Sequence, residues 1–291
     1  MADDLVHEIV RRRVLDPEAV ARAAEARRGR EQLIGESGRL MLIAADHPAR
    51  GALRVVDDSL AMADRAGLLR RLLIALSRPG VDGFVGTPDM VEDLLLLGAL
   101  EDKLVLGSMN RGGLAGTSFE IDDRFTAYDA ASIAHSGFDG GKMLLRIDPD
   151  DPATVATLEA CADAVSDLAS HRLIAMVEPF ISHRVDGRVR NDLSTEAVIR
   201  SVTVAAALGN TSAYTWLKLP VVDDMHRVAA ASTAPVLLLG GEASVDSADT
   251  FDRWRDALKQ PTVQGMVVGR ALLYPPDGDV ATAVDKTVDL L

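Results

Sequence analysis

Lys142-Met-Leu-Leu-Arg-Ile147, an amphipathic segment opened by Asp151-Pro152, and Leu173-Ile-Ala-Met-Val177 together make one unit of strand, helix and strand. Each flanking run is too short for a helix and too continuously apolar for a strand with one wet face, which predicts strands covered on both sides. Proline suits the first turn of the helix between them, where a missing N–H costs nothing. A helical crossover of this length joins parallel neighbours.

Reading outward, the same unit recurs along the chain. Short apolar runs at 40–45, 83–86, 104–107, 142–147, 173–177, 215–219, 236–239 and 265–268 predict eight strands. Helical segments are expected near 59–76, from 89, near 127–134, after 152, from 195, and near 225–231, 248–258 and 280–290. The polar stretch 182–193 reads as a loop. Strict alternation argues for a parallel sheet with helical crossovers, and eight units favour closure into a single (β/α)8 TIM barrel. The expected organisation is an N-terminal helical extension over residues 1–38 and a barrel over 39–291.

Composition narrows the function. The chain has 291 residues, of which 44 are Asp or Glu and 31 Lys or Arg, for a formal charge of −13. Nucleic-acid binders usually carry a basic footprint, which this chain lacks, so no nucleic-acid partner is expected. No apolar stretch is long enough to span a bilayer, and residues 1–30 lack an apolar signal core, so no membrane partner and a cytoplasmic location are expected. Cys161 is the single cysteine and reads as a buried helix-face thiol. Of six histidines, only His47 and His183 fall near strand ends, too few for a zinc site, so no metal and no cofactor are expected.

Barrels of this type carry their sites at the C-terminal strand ends. The polar residues there are Asp46 and His47, Asn110 and Arg111, Arg146 and Asp148, Glu178, Lys218, Glu242 and Ser244, and Arg270, with Lys142 earlier along its strand. Lys218 stands out in Tyr214-Thr-Trp-Leu-Lys-Leu-Pro220, because the chain uses only five lysines against 26 arginines. An amine can attack a carbonyl and a guanidinium cannot, and an apolar setting favours the uncharged amine. A lysine reaching to solvent or paired at a strand end fits the residues equally well. Lys142 shares a strand face with Leu144 and Arg146. It reads either as a second site cation or as a paired residue at the barrel bottom. Glu178 and Asp46 are the acid–base candidates. Gly240-Gly241 and Gly269-Arg270 follow the last two strands, where such barrels often bind phosphate.

These motifs resemble those of the class I aldolase superfamily. Lys142-Met-Leu-Leu-Arg-Ile-Asp148 is similar to the Lys-x-Leu-Leu-Tyr-Tyr-x-x-Asp stretch of class I tagatose-bisphosphate aldolases. Trp216-Leu-Lys-Leu-Pro-Val-Val222 resembles their segment around the Schiff-base lysine, and Val267-Val-Gly-Arg-Ala271 their phosphate-side turn. Ala45-Asp-His-Pro-Ala-Arg-Gly51 is similar to their Asp-Gln-Arg-Gly and to the Asp-His-Gly start of archaeal-type fructose-bisphosphate aldolases. A bacterial deoxyribose-phosphate-aldolase-like branch associated with inositol breakdown is also similar. The chain departs from these patterns in two places. No lysine lies in 236–242, where deoxyribose-phosphate aldolases carry a second one, and Leu219-Pro220 stands where the tagatose enzymes have a Glu.

The resemblance implies Lys218 as Schiff-base nucleophile, Glu178 as proton-transfer residue, and Lys142 and Asp46 as supporting groups. Gly240, Gly241, Gly269, Arg270, Arg146 and Arg50 are the candidate substrate- and phosphate-binding residues. The expected activity is a class I, metal-independent aldolase acting on a phosphorylated ketose or keto-sugar acid, in a homo-oligomer. A sugar-phosphate isomerase or epimerase with Glu178 as base, and a non-catalytic metabolite-binding barrel, are the alternatives on the same fold.

Overall fold

A computed structural model describes residues 2–35, 37–241 and 248–291. Its strands are β1 (Leu40–Ala44), β2 (Gly83–Gly86), β3 (Leu104–Ser108), β4 (Gly140–Ile147), β5 (Ile174–Val185), β6 (Arg188–Asn191), β7 (Thr215–Leu219), β8 (Val236–Leu239) and β9 (Val263–Val268). All but β6 pair in parallel in the order β1-β2-β3-β4-β5-β7-β8-β9. β9 pairs back onto β1, with Leu42 opposite Val267, and the sheet closes. The chain is a single (β/α)8 TIM barrel.

Helices α1 (Ala2–Leu15) and α2 (Ala19–Ala26) precede the barrel. Around it lie α3 (Arg65–Leu76), α4 (Pro88–Leu96), α5 (Ala130–His135), α6 (Ala153–Ser170), α7 (Thr195–Ala205), α8 (Met225–Ala229), α9 (Ala248–Ala257), α10 (Arg270–Leu273) and α11 (Val280–Val288). Asp64, Asp129 and Ser194 cap α3, α5 and α7 by accepting from a backbone N–H three residues on. The caps explain why α3 and α5 begin later than apolar spacing alone predicts. Arg13 of α1 bonds Glu92 and Asp93 of α4 at 2.9 and 3.0 Å, tying the lead-in helix to the barrel.

One element corrects the sequence reading. Residues 182–193, expected as a loop, hold a β-hairpin instead. β5 runs past Pro179 to Val185 and returns as β6, with Ser182 opposite Asn191 and Val185 opposite Arg188. Asp186 and Gly187 turn the chain with φ of 50° and 75°. Left-handed geometry at both central positions suits a two-residue hairpin turn, and Asp-Gly is a preferred pair for it.

The two-residue strand period sorts the core into two shells. Leu40, Leu42, Ala44, Val85, Leu104, Leu106, Met176, Trp216, Leu237 and Val267 fill the barrel interior. Met41, Ile43, Val105, Met143, Leu145, Leu217, Leu238, Met266 and Val268 face outward into the larger core beneath the helices. Two residues further along the inward register, the chain places Asp46 after Ala44, Ser108 after Leu106, Glu178 after Met176 and Lys218 after Trp216. A polar layer therefore sits on an apolar plug. Each large apolar side chain contributes ~1.5–3 kcal/mol on burial, which offsets the several kcal/mol that each buried ion costs.

Candidate active site

Lys142, Glu178 and Lys218 meet at this layer. Lys218 Nζ lies 3.0 Å from Glu178 Oε1, and Lys142 Nζ contacts Oε2 of the same carboxylate. Lys142 Nζ also donates to Asp46 Oδ2 at 3.1 Å. The same oxygen accepts from Ser108 Oγ at 2.8 Å and Arg111 Nη2 at 2.6 Å. Asp46, Lys142, Glu178, Lys218, Ser108 and Arg111 are all buried. Strand register explains the contacts. Ser108 lies beside Lys142 across β3 and β4, and Val177 beside Leu217 across β5 and β7, so Glu178 and Lys218 follow side by side. Lys142 thus points into the site rather than toward the barrel bottom.

Charge explains how the cluster survives burial. Burial alone would raise Glu178, but Lys142 and Lys218 overcome it and hold the carboxyl at about 2. Burial likewise pushes Asp46 up, and Arg111 and Lys142 reverse it, leaving the carboxyl well below its usual range. Lys142 moves the other way. Burial lowers it to about 8, helped by Lys218 and Arg111 and opposed by Asp46 and Glu178. Two carboxylates thus share the layer with Lys142, Lys218 and Arg111, and burial weakens proton binding at Lys142. Glu178 touches one amine through each oxygen, which gives a proton a path between them.

The other candidates divide. Arg270 stays near the layer, where it and Lys218 act electrostatically on His47. Its Nη1 donates to the Arg54 carbonyl at 3.2 Å, and its buried Nε has no protein partner. Gly269 is required where β9 meets β1, because a Cβ there would lie 2.6 Å from the Ala44 carbonyl oxygen and 3.1 Å from His47 Cε1. Gly240 abuts Val268, and Gly241 has φ +70°. Glu242 and Ser244 lie outside the described residues.

Arg50 and Arg146 are engaged elsewhere. Arg50 pairs with Asp123 at 2.5 Å and donates to the carbonyls of Asn110 and Gly113. It holds the long loop after β3. Arg146 pairs with Glu120 of that loop at 3.1 Å, while its Nε and Nη1 have no partner. Asn110 also works structurally: its side chain bonds the Leu144 carbonyl and N–H at 2.6 and 2.9 Å, extending the β3–β4 ladder. Of the cluster's neighbours, Ser108 is not named by the sequence reading, and Arg111 is named at a strand end without a role. The inward register of Leu104 and Leu106 points to Ser108, whereas Arg111 reaches Asp46 only because the chain folds back after β3. Among the described residues, no three His, Cys, Asp or Glu side chains are placed to hold a metal ion. None of the described helices is long and apolar enough to cross a membrane.

A family model described as Cgl0159-like matches residues 38–288. The chain belongs to the Cgl0159-like family. The crystal structure of Cgl0159 from Corynebacterium glutamicum superposes with a TM-score of 0.96 at 54% identity, covering 99% of this chain and 96% of that one. An archaeal fructose 1,6-bisphosphate aldolase superposes with a TM-score of 0.65 at 18% identity, covering 93% and 98%. A structure of a Schiff-base-forming fructose-1,6-bisphosphate aldolase gives the same score and identity over 93% and 99%. These aldolases share the barrel fold with this Cgl0159-like chain. No curated protein matches it.

Proposed function

We propose that the chain is a class I aldolase in which Lys218 forms a Schiff base with a phosphorylated ketose or keto-sugar acid. The observation that carries this reading is the pair of buried lysines bridged by one carboxylate at the barrel's C-terminal face. Lys218 Nζ attacks the substrate ketone, and the carbinolamine loses water to give an iminium. The iminium then takes up the electrons of the neighbouring C–C bond as it breaks. Glu178 relays protons between the two amines, and Lys142 supplies the second charge without leaving the carboxylate unpaired. Asp46, fixed by Ser108 and Arg111, holds Lys142 in place. Gly269-Arg270, with the neighbouring Gly240-Gly241, takes the substrate phosphate.

The barrels named above as fructose-bisphosphate aldolases support this choice of chemistry. The isomerase reading needs Glu178 as a free base. Both of its oxygens are taken up by the two amines, which weighs against that role. The test is reductive trapping. Dihydroxyacetone phosphate plus borohydride is expected to add one reduced adduct to the wild-type chain, none to Lys218→Ala, and one to Lys142→Met. Equal labelling of wild type and Lys218→Ala ends the proposal.

A further inference from the structure

Breaking a C–C bond beside an iminium requires a base for the hydroxyl proton of the departing carbon. Neither buried carboxylate is free for it. Glu178 is engaged by a lysine amine at each oxygen, and Asp46 Oδ2 accepts from Ser108, Arg111 and Lys142. Asp46 Oδ1 takes none of those bonds. It lies 3.7 Å from the buried Nδ1 of His47, beyond hydrogen-bond distance, and that nitrogen has no hydrogen-bond partner. The His47 side chain is 27% exposed, and with Nδ1 buried, Nε2 is the ring nitrogen left for a ligand. A Cβ on Gly269 would lie 3.1 Å from Cε1, so the glycine leaves room for the ring.

We propose that Asp46 and His47 form the general base of the cleavage step, with Asp46 Oδ1 the nearest acceptor for Nδ1–H, a contact that tightens when substrate binds, and His47 Nε2 accepting the substrate hydroxyl proton. This rests on the Schiff-base reading above. As Nε2 takes the proton, the O–H electrons become the carbonyl of the released aldehyde. The C–C bond breaks, and its electrons neutralise the iminium as an enamine. The imidazolium then returns the proton to the enamine carbon, restoring the iminium for hydrolysis. Asp46 is a positioning residue here: it sets the tautomer and stabilises the imidazolium.

The charges facing the ring are Asp46 after β1, Arg270 beyond β9, Lys218 from β7 and Glu178 from β5. Burial, with Arg270 and Lys218, keeps the imidazole neutral against the pull of Asp46 and Glu178. A substrate phosphate on Arg270 offsets one of those cations and strengthens the base when substrate is in place.

The test compares wild type, His47→Gln and His47→Ala with dihydroxyacetone phosphate in D2O. One readout is carbon-bound hydrogen exchange, and the other is the borohydride-trapped fraction. The expected result is unchanged trapping in both variants, exchange reduced ~10²–10⁴-fold, and recovery of exchange in His47→Ala on adding imidazole. Wild-type exchange should persist below pH 6, where an ordinary histidine is mostly protonated. Intact trapping with exchange within threefold of wild type would overturn the role of His47, as would parallel loss of trapping and exchange. Absence of wild-type trapping would instead overturn the Schiff-base reading beneath it.

Discussion

Replacing Glu178 by Gln keeps the side chain's size and removes the charge that binds two ammoniums. The Lys218 contact at 3.0 Å is worth about 5 kcal/mol of gross attraction at an effective dielectric near 20. Lys142 adds a comparable amount, and desolvation of the carboxylate removes several kcal/mol from the total. Depression of Glu178 from 4.5 to about 2 gives a second route to the magnitude, ~3 kcal/mol in favour of the ionised form. Both agree with the ~3–5 kcal/mol usual for breaking a buried pair.

Glu178→Gln should therefore lose ~3 kcal/mol in urea unfolding at pH 7. The sign with pH follows from linkage. A carboxyl whose folded value is depressed stabilises fully above its unfolded value, and that contribution is lost as pH falls toward the folded one. The gap between wild type and variant should accordingly narrow as pH falls from 4.5 toward 2. A variant within 1 kcal/mol of wild type at pH 7, or a gap that stays constant on acidification, would refute the charge account of the site.

Other outcomes follow from the same contacts. Lys142 titrates at about 8 in the fold and at 10.5 free, so the unfolded chain binds more protons in that window. Stability should rise by ~3 kcal/mol from pH 8 to 10.5 through this group, a rise that Lys142→Met abolishes in matched denaturant curves. Arg50→Ala leaves Asp123 buried without its ion pair. It should cost ~3–5 kcal/mol in urea unfolding and expose the loop after β3 to limited proteolysis. Gly269→Ala forces a Cβ toward the Ala44 carbonyl and His47, costing ~1–3 kcal/mol by thermal unfolding.

The barrel is legible because its strands are buried on both faces and so appear as short apolar runs. Lys218 is legible for the same reason, as the single charge inside Trp216-Leu-Lys-Leu219. The hairpin has a local signal in Asp186-Gly187 with Val185 and Val189 beside it, but its polar composition reads as a loop. Arg50 and Arg146 show the limit. Their partners Asp123 and Glu120 belong to a long loop without periodicity, so nothing local says whether those guanidiniums face a ligand or the protein itself. Residues that share a strand period can be placed by counting, whereas contacts made by a folded-back loop cannot.

The identity of the reacting amine decides the chemistry. Wild-type chain reduced with borohydride in the presence of dihydroxyacetone phosphate, then digested and sequenced by tandem mass spectrometry, answers it directly. The adduct is predicted on Lys218 alone. An adduct on Lys142, or none on either lysine, would contradict the account.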